Sequence, residues 1–526
     1  MKKLAFLLLS ITFSALTFGQ LNIEEVGYKS YSDDLSDIWG YADEEGNEYA
    51  LVGTYSGLSI VDVTDPSNPT EVFFGTGAGS IWRDIKTWGD YAYVSNESFG
   101  GVYIVDLSPL PGGEITVTSS FTGNAYPFQS AHNLYIDETG KMYIFGADNG
   151  NGGAIICDLT SDPMNPEELG RFNTYYLHDG MARGDTLWGA AIYAGNLLAI
   201  DVSNPASPNI MGSVSTPGNF THNCWVSQDG THVFTTDEVS NGYIGAYDVS
   251  DLSNIIETDI IQTAPGTNVI PHNTHVIGDF LVTSYYTEGI TIHDVSRPDN
   301  IFEVGHFDTS PGYSGSGYHG SWGAYPFLPS GNILASDIEN GLYILAPTYI
   351  KATHVDGLVT DSLTGDPLFN VAYDVIGTDI SGQTAFDGSF SFGTLENGTY
   401  DIEFTRDGYE TKVVEGLVFE NGAVYDLEVE MSMPGTTSVD ENAEIELNAY
   451  PNPFNSELTI SYAINSKSAG STIQVMDVTG KLMFEQTLAD SKGKVILGND
   501  LDSGVYFVRI ANSQNQQFQM KRIIKM

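Results

Sequence analysis

Leu58-Ser-Ile-Val-Asp62, running on into Val63-Thr-Asp-Pro-Ser67, is the stretch on which the fold turns. Its apolar, partly β-branched residues predict a short buried strand. The Asp that ends the strand can accept a hydrogen bond from the backbone two residues on, and the Pro sets φ for a tight turn, so the motif is structural punctuation. The signature returns at Val105-Asp106-Leu107, Cys157-Asp158-Leu159, Ile200-Asp201-Val202, Tyr247-Asp248-Val249 and His293-Asp294-Val295, and a seventh copy, Ile344-Leu345-Ala346, has lost its Asp. Copies stand roughly 43 to 52 residues apart, a length suited to a four-stranded propeller blade.

Each repeat reads as a first strand, a second such as Tyr91-Ala-Tyr-Val-Ser95, a third such as Gly101-Val-Tyr-Ile-Val105, and a fourth such as Glu168-Leu-Gly-Arg171. The seventh stops at Pro347 without a fourth strand. Ile23-Glu-Glu-Val-Gly-Tyr28 matches Ile301-Phe-Glu-Val-Gly-His306, so the N-terminal segment is expected to complete the last blade rather than leave a sheet edge unpaired. The fold expected is all-β: a seven-bladed β-propeller over residues 20–348, followed by two small β-sandwich domains.

Leu58-Ser-Ile-Val-Asp62, Val102-Tyr-Ile-Val-Asp106 and Leu197-Leu-Ala-Ile-Asp201 resemble the LVIVD-repeat propellers grouped as the choice-of-anchor B family. That family implies a propeller with interchangeable surface-anchoring tails and no established activity. Val355-Asp-Gly-Leu-Val-Thr-Asp361, Ala385-Phe-Asp-Gly-Ser-Phe390 and Asp407-Gly-Tyr409 make residues 354–432 similar to the carboxypeptidase regulatory-like β-sandwich, a spacer or stalk without catalytic residues. Residues 433–447 read as a linker. From Asn448-Ala-Tyr-Pro-Asn-Pro-Phe454 through Leu501-Asp-Ser-Gly-Val-Tyr-Phe-Val-Arg509 to Met520-Lys-Arg-Ile-Ile-Lys-Met526, the chain resembles the C-terminal sorting domain of type IX (Por) secretion cargo of Bacteroidota. That resemblance implies the type IX machinery as a partner and export to the medium or the outer cell surface. Lys2 and Lys3 ahead of an apolar run from Leu4 to Leu16 predict a signal peptide over residues 1–19, with no transmembrane segment in the mature chain.

Composition narrows the partners. The 526 residues carry 20 Lys and Arg against 68 Asp and Glu, a net charge of −48, with the excess concentrated before residue 441. Nucleic acid is excluded as a partner, because phosphate binding needs a basic footprint. Two cysteines, Cys157 and Cys224, fall in strands of different repeats, which excludes a disulfide scaffold and predicts two buried thiols.

Aligning first strands brings histidines into register: His132, His178, His222, His272 and His319 stand at one repeat position, half of the ten in the chain. Trp82-Arg83 takes that place in the second repeat and Ile38-Trp39 in the first. The loops between second and third strands share that end of the blades and hold Glu97, Asp148, Asp237, Glu238, Glu288, Asp337 and Glu339. Imidazoles among carboxylates suit a divalent transition metal at the channel mouth. Side chains alternate along a strand, so two alternatives stand open: the histidines face the channel, or they pack between blades while the adjoining Asn or Asp faces it.

Trp82, Arg83 and Trp322 join Glu97, Asp148, Asp237, Glu238, Glu288, Asp337 and Glu339 as ligand-binding candidates. No nucleophile elbow, His-Glu-x-x-His helix or phosphate-cradling loop is present. The leading expectation is a secreted or surface-displayed propeller that binds a ligand, glycan or protein. Its rival is a metal-dependent hydrolase or lyase using the histidine cluster, with Asp237 or Asp337 as base. A surface adhesin or scaffold is the third reading.

Overall fold

The computed structural model describes residues 20–434, 445–464, 471–497, 501–511 and 517–526. The expected signal peptide and most of the expected linker lie outside the described residues. The chain divides into two compact units, Met1–Lys351 and Ala352–Met526.

The first unit contains seven four-stranded antiparallel sheets among the described residues. Their first strands are Leu35–Ala42, Ile85–Trp88, Asn133–Ile136, Asp179–Arg183, Thr221–Val226, Pro271–Ile277 and Ser321–Tyr325. Each first strand touches the next, and the last touches the first, so the sheets form a propeller-like ring about an axis. Six sheets consist of consecutive strands. In the remaining one, Ile23–Lys29 pairs antiparallel with Gly341–Pro347.

Burial follows from this stacking. A second strand such as Glu48–Thr54 is covered on both faces by neighbouring sheets and is buried at every position. A fourth strand such as Asn209–Ser215 alternates exposed and half-buried residues. Between sheets, clusters such as Leu51, Ile60, Ile85, Val94 and Val105 form the cores, each large aliphatic side chain contributing ~1.5–3 kcal/mol. Fourth-strand glycines serve the same packing. A Cβ on Gly27 or Gly170 would strike the carbonyl of Pro66 or Pro205, in the Asp-Pro or Asn-Pro turn of the adjoining sheet.

The Asp of each intact repeat closes a turn at the end of its third strand. Asp62, Asp106, Asp158, Asp201, Asp248 and Asp294 accept the backbone N–H two residues on at 2.8–3.1 Å. Both cysteines are free and buried.

In the second unit, a three-stranded sheet around Thr353–Asp361 and a four-stranded one around Gly398–Thr405 share a core that includes Val355, Val429, Tyr373 and Phe404. A second such pair lies between Ile445–Tyr450 and Gln517–Lys525, with Ile460, Val475 and Val508 inside. No helix among the described residues is long and apolar enough to cross a membrane.

Candidate functional site

Four of the ring's seven first strands open on an irregularity. Thr221 faces Asp237 and Asn223 faces Thr236, which leaves His222 as an extra residue. The register jumps likewise from Pro271 to Thr274, from Ser321 to Gly323 and from Leu35 to Ile38. An inserted residue breaks the alternation of side chains and re-aims the strand, so two successive side chains can turn toward the axis. A cavity of about 20 Å³, room for about one water, is lined by Arg83, His132, His222, His272 and Trp322 together with Asp37, Asp84, Asn133, Asp179 and Asn273. At His132-Asn133 and His272-Asn273 both side chains line it.

Four imidazoles form a row. Ring centroids lie 3.8 Å apart for His132 and His178, 4.2 Å for His178 and His222, and 4.5 Å for His222 and His272. Carboxylates flank the row on both sides. Glu97 bonds His132 Nδ1. Asp179 Oδ1 lies 3.0 Å from His178 Nδ1, and its Oδ2 lies 3.8 Å from His222 Nδ1. Glu238 places its oxygens 3.6 Å from His222 Nε2 and 4.0 Å from His272 Nε2, and accepts a hydrogen bond from the Tyr286 hydroxyl at 2.6 Å. His272 Nδ1 lies 2.5 Å from the Trp322 carbonyl; a carbonyl only accepts, so Nδ1 carries the proton and Nε2 keeps its lone pair. His222 Nδ1 is buried with no hydrogen-bond partner among the described residues.

Burial holds most of the row neutral. It pushes His272 down to about 3 and His222 well below the usual imidazole range, and lowers His178 with help from the neighbouring His132. His132 is the exception: burial disfavours its proton, but the bond to Glu97 outweighs that and raises it. Asp179 is buried too, yet the surrounding imidazoles hold its carboxyl well below the ordinary range. Burial pushes Glu238 up to about 7.

Beneath the row lies a polar tier. Asn133 Nδ2 donates to Asp84 at 3.0 Å and Asp179 at 2.8 Å, Asn223 Nδ2 donates to Asp179 at 3.1 Å, and Asp37 accepts the Ile85 N–H at 3.1 Å. Lys86 Nζ sits 2.7 Å from Asp84, 3.6 Å from Asp37 and 4.4 Å above the Trp39 ring. Trp39, Trp225, His275, Tyr325 and Phe327 then close the axis in one aromatic cluster, with centroids 4.6 to 6.4 Å apart.

Two sets of three donors, His132 with His178 and Asp179, and His178 with His222 and Glu238, each lie within 4.8 Å of one another. His319 does not join them. It precedes its strand, is half exposed, bonds Glu339 at 2.6 Å and stacks on Tyr313. Trp322, at the register jump, takes the place expected of His319 and packs against His272 at 4.7 Å. In the first repeat that place belongs to Ser36 and Asp37, not Ile38-Trp39.

Several other candidates are engaged in building the face. Arg83 donates to the carbonyls of Thr54, Tyr55 and Ala78. Asp148 accepts the Gln129 and Ser130 N–H groups. Asp237 accepts from Thr216, Gly218 and Phe220, and Asp337 from Thr309, Glu339 and Asn340; neither is a free base. Glu288 lies 3.8 Å from His306, away from the row. Trp82 is 39% exposed at the mouth. Sequence reasoning missed Asp179, Lys86 and Tyr286 as site residues. For Asp179 a signal existed, since Asn or Asp follows each of the four row histidines.

Family comparisons place names on these parts. LVIVD repeats match at residues 46–74, 79–110 and 191–216. A carboxypeptidase regulatory-like domain matches at 354–432 and a secretion system C-terminal sorting domain at 448–526. The chain therefore carries LVIVD repeats and a secretion sorting tail. That tail marks the chain for export, to the medium or the cell surface, and implies contact with the secretion machinery. No curated protein matches it.

Among solved structures, the β-propeller domain of Myceliophteria thermophila Cps50 (Swd1) is 12% identical, covers 62% of this chain and 100% of its own, and has a TM-score of 0.44. PorZ of Porphyromonas gingivalis, described as an essential surface component of the type-IX secretion system, is 11% identical with a TM-score of 0.42. That match covers 95% of this chain and 60% of PorZ. Neither likeness is close enough to carry an argument.

Proposed function

We propose that the chain is an exported, surface-presented binding propeller of the choice-of-anchor B type whose channel mouth chelates one divalent transition-metal ion. His178 and His222 would supply nitrogen donors with Glu238 as oxygen donor, or His132 and His178 with Asp179, and His272 flanks the first of these sets. The observation that carries this reading is a buried row of imidazoles whose central member, His222, leaves a ring nitrogen unbonded. An unsatisfied buried polar group costs ~1–3 kcal/mol, and apolar rings would fill the same space without that cost. A ligand that accepts lone pairs removes the penalty. In each of the two sets of three, the donor atoms lie within 4.8 Å of one another, a spread that small side-chain shifts close to the ~3.4 Å edge of a tetrahedron around an ion with ligands at ~2.1 Å. A nitrogen-rich donor set with carboxylates suits Zn, Mn or Fe rather than Ca.

The hydrolase or lyase reading is weakened because the bases it needed, Asp237 and Asp337, are held in loop hydrogen bonds. A bare adhesin has no need of the buried row. Metal content of the purified full chain, followed by titration of the metal-stripped protein with Zn²⁺ and Co²⁺, tests the proposal. One ion per chain is expected, bound at least 100-fold more weakly by His222→Ala/His272→Ala. Wild-type protein that takes up neither ion would sink it.

A further inference from the structure

The face that holds the imidazole row also exposes a set of aromatic side chains. Tyr55, Trp82, Phe99, Tyr175, Tyr193 and Tyr318 are between 39% and 78% exposed. All six lie in segments joining second to third strands, or a fourth strand to the next first strand, which places them on this one face. In the turns that join first to second and third to fourth strands, Phe327 is the one aromatic among the described residues, and it stacks on Trp225. The exposed rings connect to the row at both ends. Tyr318 packs edge-on against Tyr286 at 5.1 Å, and Tyr286 lies 4.9 Å from His272. Tyr193 packs on Tyr176 at 4.9 Å, and Gly146 is wedged between the Tyr176 hydroxyl and the His132 side chain.

Most charge on this face is already engaged. Arg83 is the one Lys or Arg in those loops, and its guanidinium serves backbone carbonyls. Glu97, Glu238 and Glu339 bond His132, Tyr286 and His319, and Asp148 bonds backbone N–H groups. What stands open to a ligand is aromatic ring surface and phenol hydroxyls. An anionic polymer would meet a chain of net charge −48, and among the described residues these loops hold no free Lys or Arg to receive it. A basic peptide would find most of these carboxylates already hydrogen-bonded. An uncharged ring with an apolar face and hydroxyl edges matches what remains, the apolar face stacking on Tyr or Trp and the hydroxyls meeting the phenols.

We propose that this face binds a neutral saccharide chain, its sugar rings stacked on the exposed aromatics around the metal-binding mouth. The proposal rests on the metal reading for the position of the site, and on the aromatics for its energy. The test screens the zinc-loaded full chain against neutral glucan, mannan and xylan oligosaccharides, acidic alginate and pectate oligosaccharides, and a poly-lysine peptide, then measures the best hit by calorimetry. Expected is binding to a neutral oligosaccharide that falls at least 10-fold in Tyr193→Ala and in Tyr318→Ala while both variants keep their zinc. Binding confined to the acidic saccharides or the peptide, or no binding by zinc-loaded protein, overturns it and leaves the metal reading standing. Unchanged neutral-saccharide binding after chelation supports the aromatic surface and separates its success from a failure of the metal reading.

Discussion

The two faces of the ring are built from the same seven repeats and obey different rules. On one face, six Asp turns repeat the same hydrogen bond with little variation, which is what a structural device looks like when a fold is copied around an axis. On the other, equivalent positions hold Ser36, Arg83, His132, His178, His222, His272 and Trp322, a different chemistry on one side of the ring than on the other. Uniform positions hold the sheets together. The graded ones gather four imidazoles on adjoining sheets, so that they meet each other instead of spreading around the channel.

The contrast breaks most visibly at Lys86, the one cation beneath the row. Lys86→Met leaves Asp37 and Asp84 buried without their partner and should cost ~3–5 kcal/mol in denaturant unfolding of the full chain; a loss below ~1 kcal/mol would show that the tier does not depend on it.

Acidification comes next. Burial pushes His275, in the aromatic cluster, from an ordinary 6.5 down to about 3, and His272 similarly. Above pH 6.5 neither folded nor unfolded chain binds these protons. Below it the unfolded chain takes them up and the folded chain does not, so stability falls from pH 6.5 toward pH 3. Glu238, raised from 4.5 to about 7, works the other way between those values and offsets part of the loss. Metal-free protein should therefore melt at progressively lower temperature from pH 6.5 to 4, and His275→Phe should lose less over that window. Equal slopes in variant and wild type would remove His275 from the account.

The smallest effect belongs to the uniform face. Asp62→Ala removes one exposed turn bond and should shift stability by no more than ~0.5 kcal/mol, with zinc affinity unchanged in the same titration that detects the His222→Ala/His272→Ala loss. A large change in zinc affinity from Asp62→Ala would mean that the two faces are coupled rather than independent.

Much of this was legible in the chain. Strand alternation, Asp-Pro turns and repeat length are local or periodic properties, and they announced an all-β ring. The tail was readable because its motifs recur at set positions. The register of His132, His178, His222 and His272 was readable too, since each precedes Asn or Asp at the start of a first strand. His319 misled because only the neighbouring strand shows that the register jump falls at Trp322.

The amino-acid sequence by itself determined which residues form strands and turns, and that histidines recur at one point of the repeat, because those are matters of backbone preference and spacing. Tertiary structure alone decided that an extra residue in four of the first strands re-aims side chains at the mouth, that Asp179 and Glu238 meet the imidazoles, and that Lys86 lies beneath them. Side-chain direction at a bulge depends on the partner strand, and a contact across sheets depends on the closure of the ring.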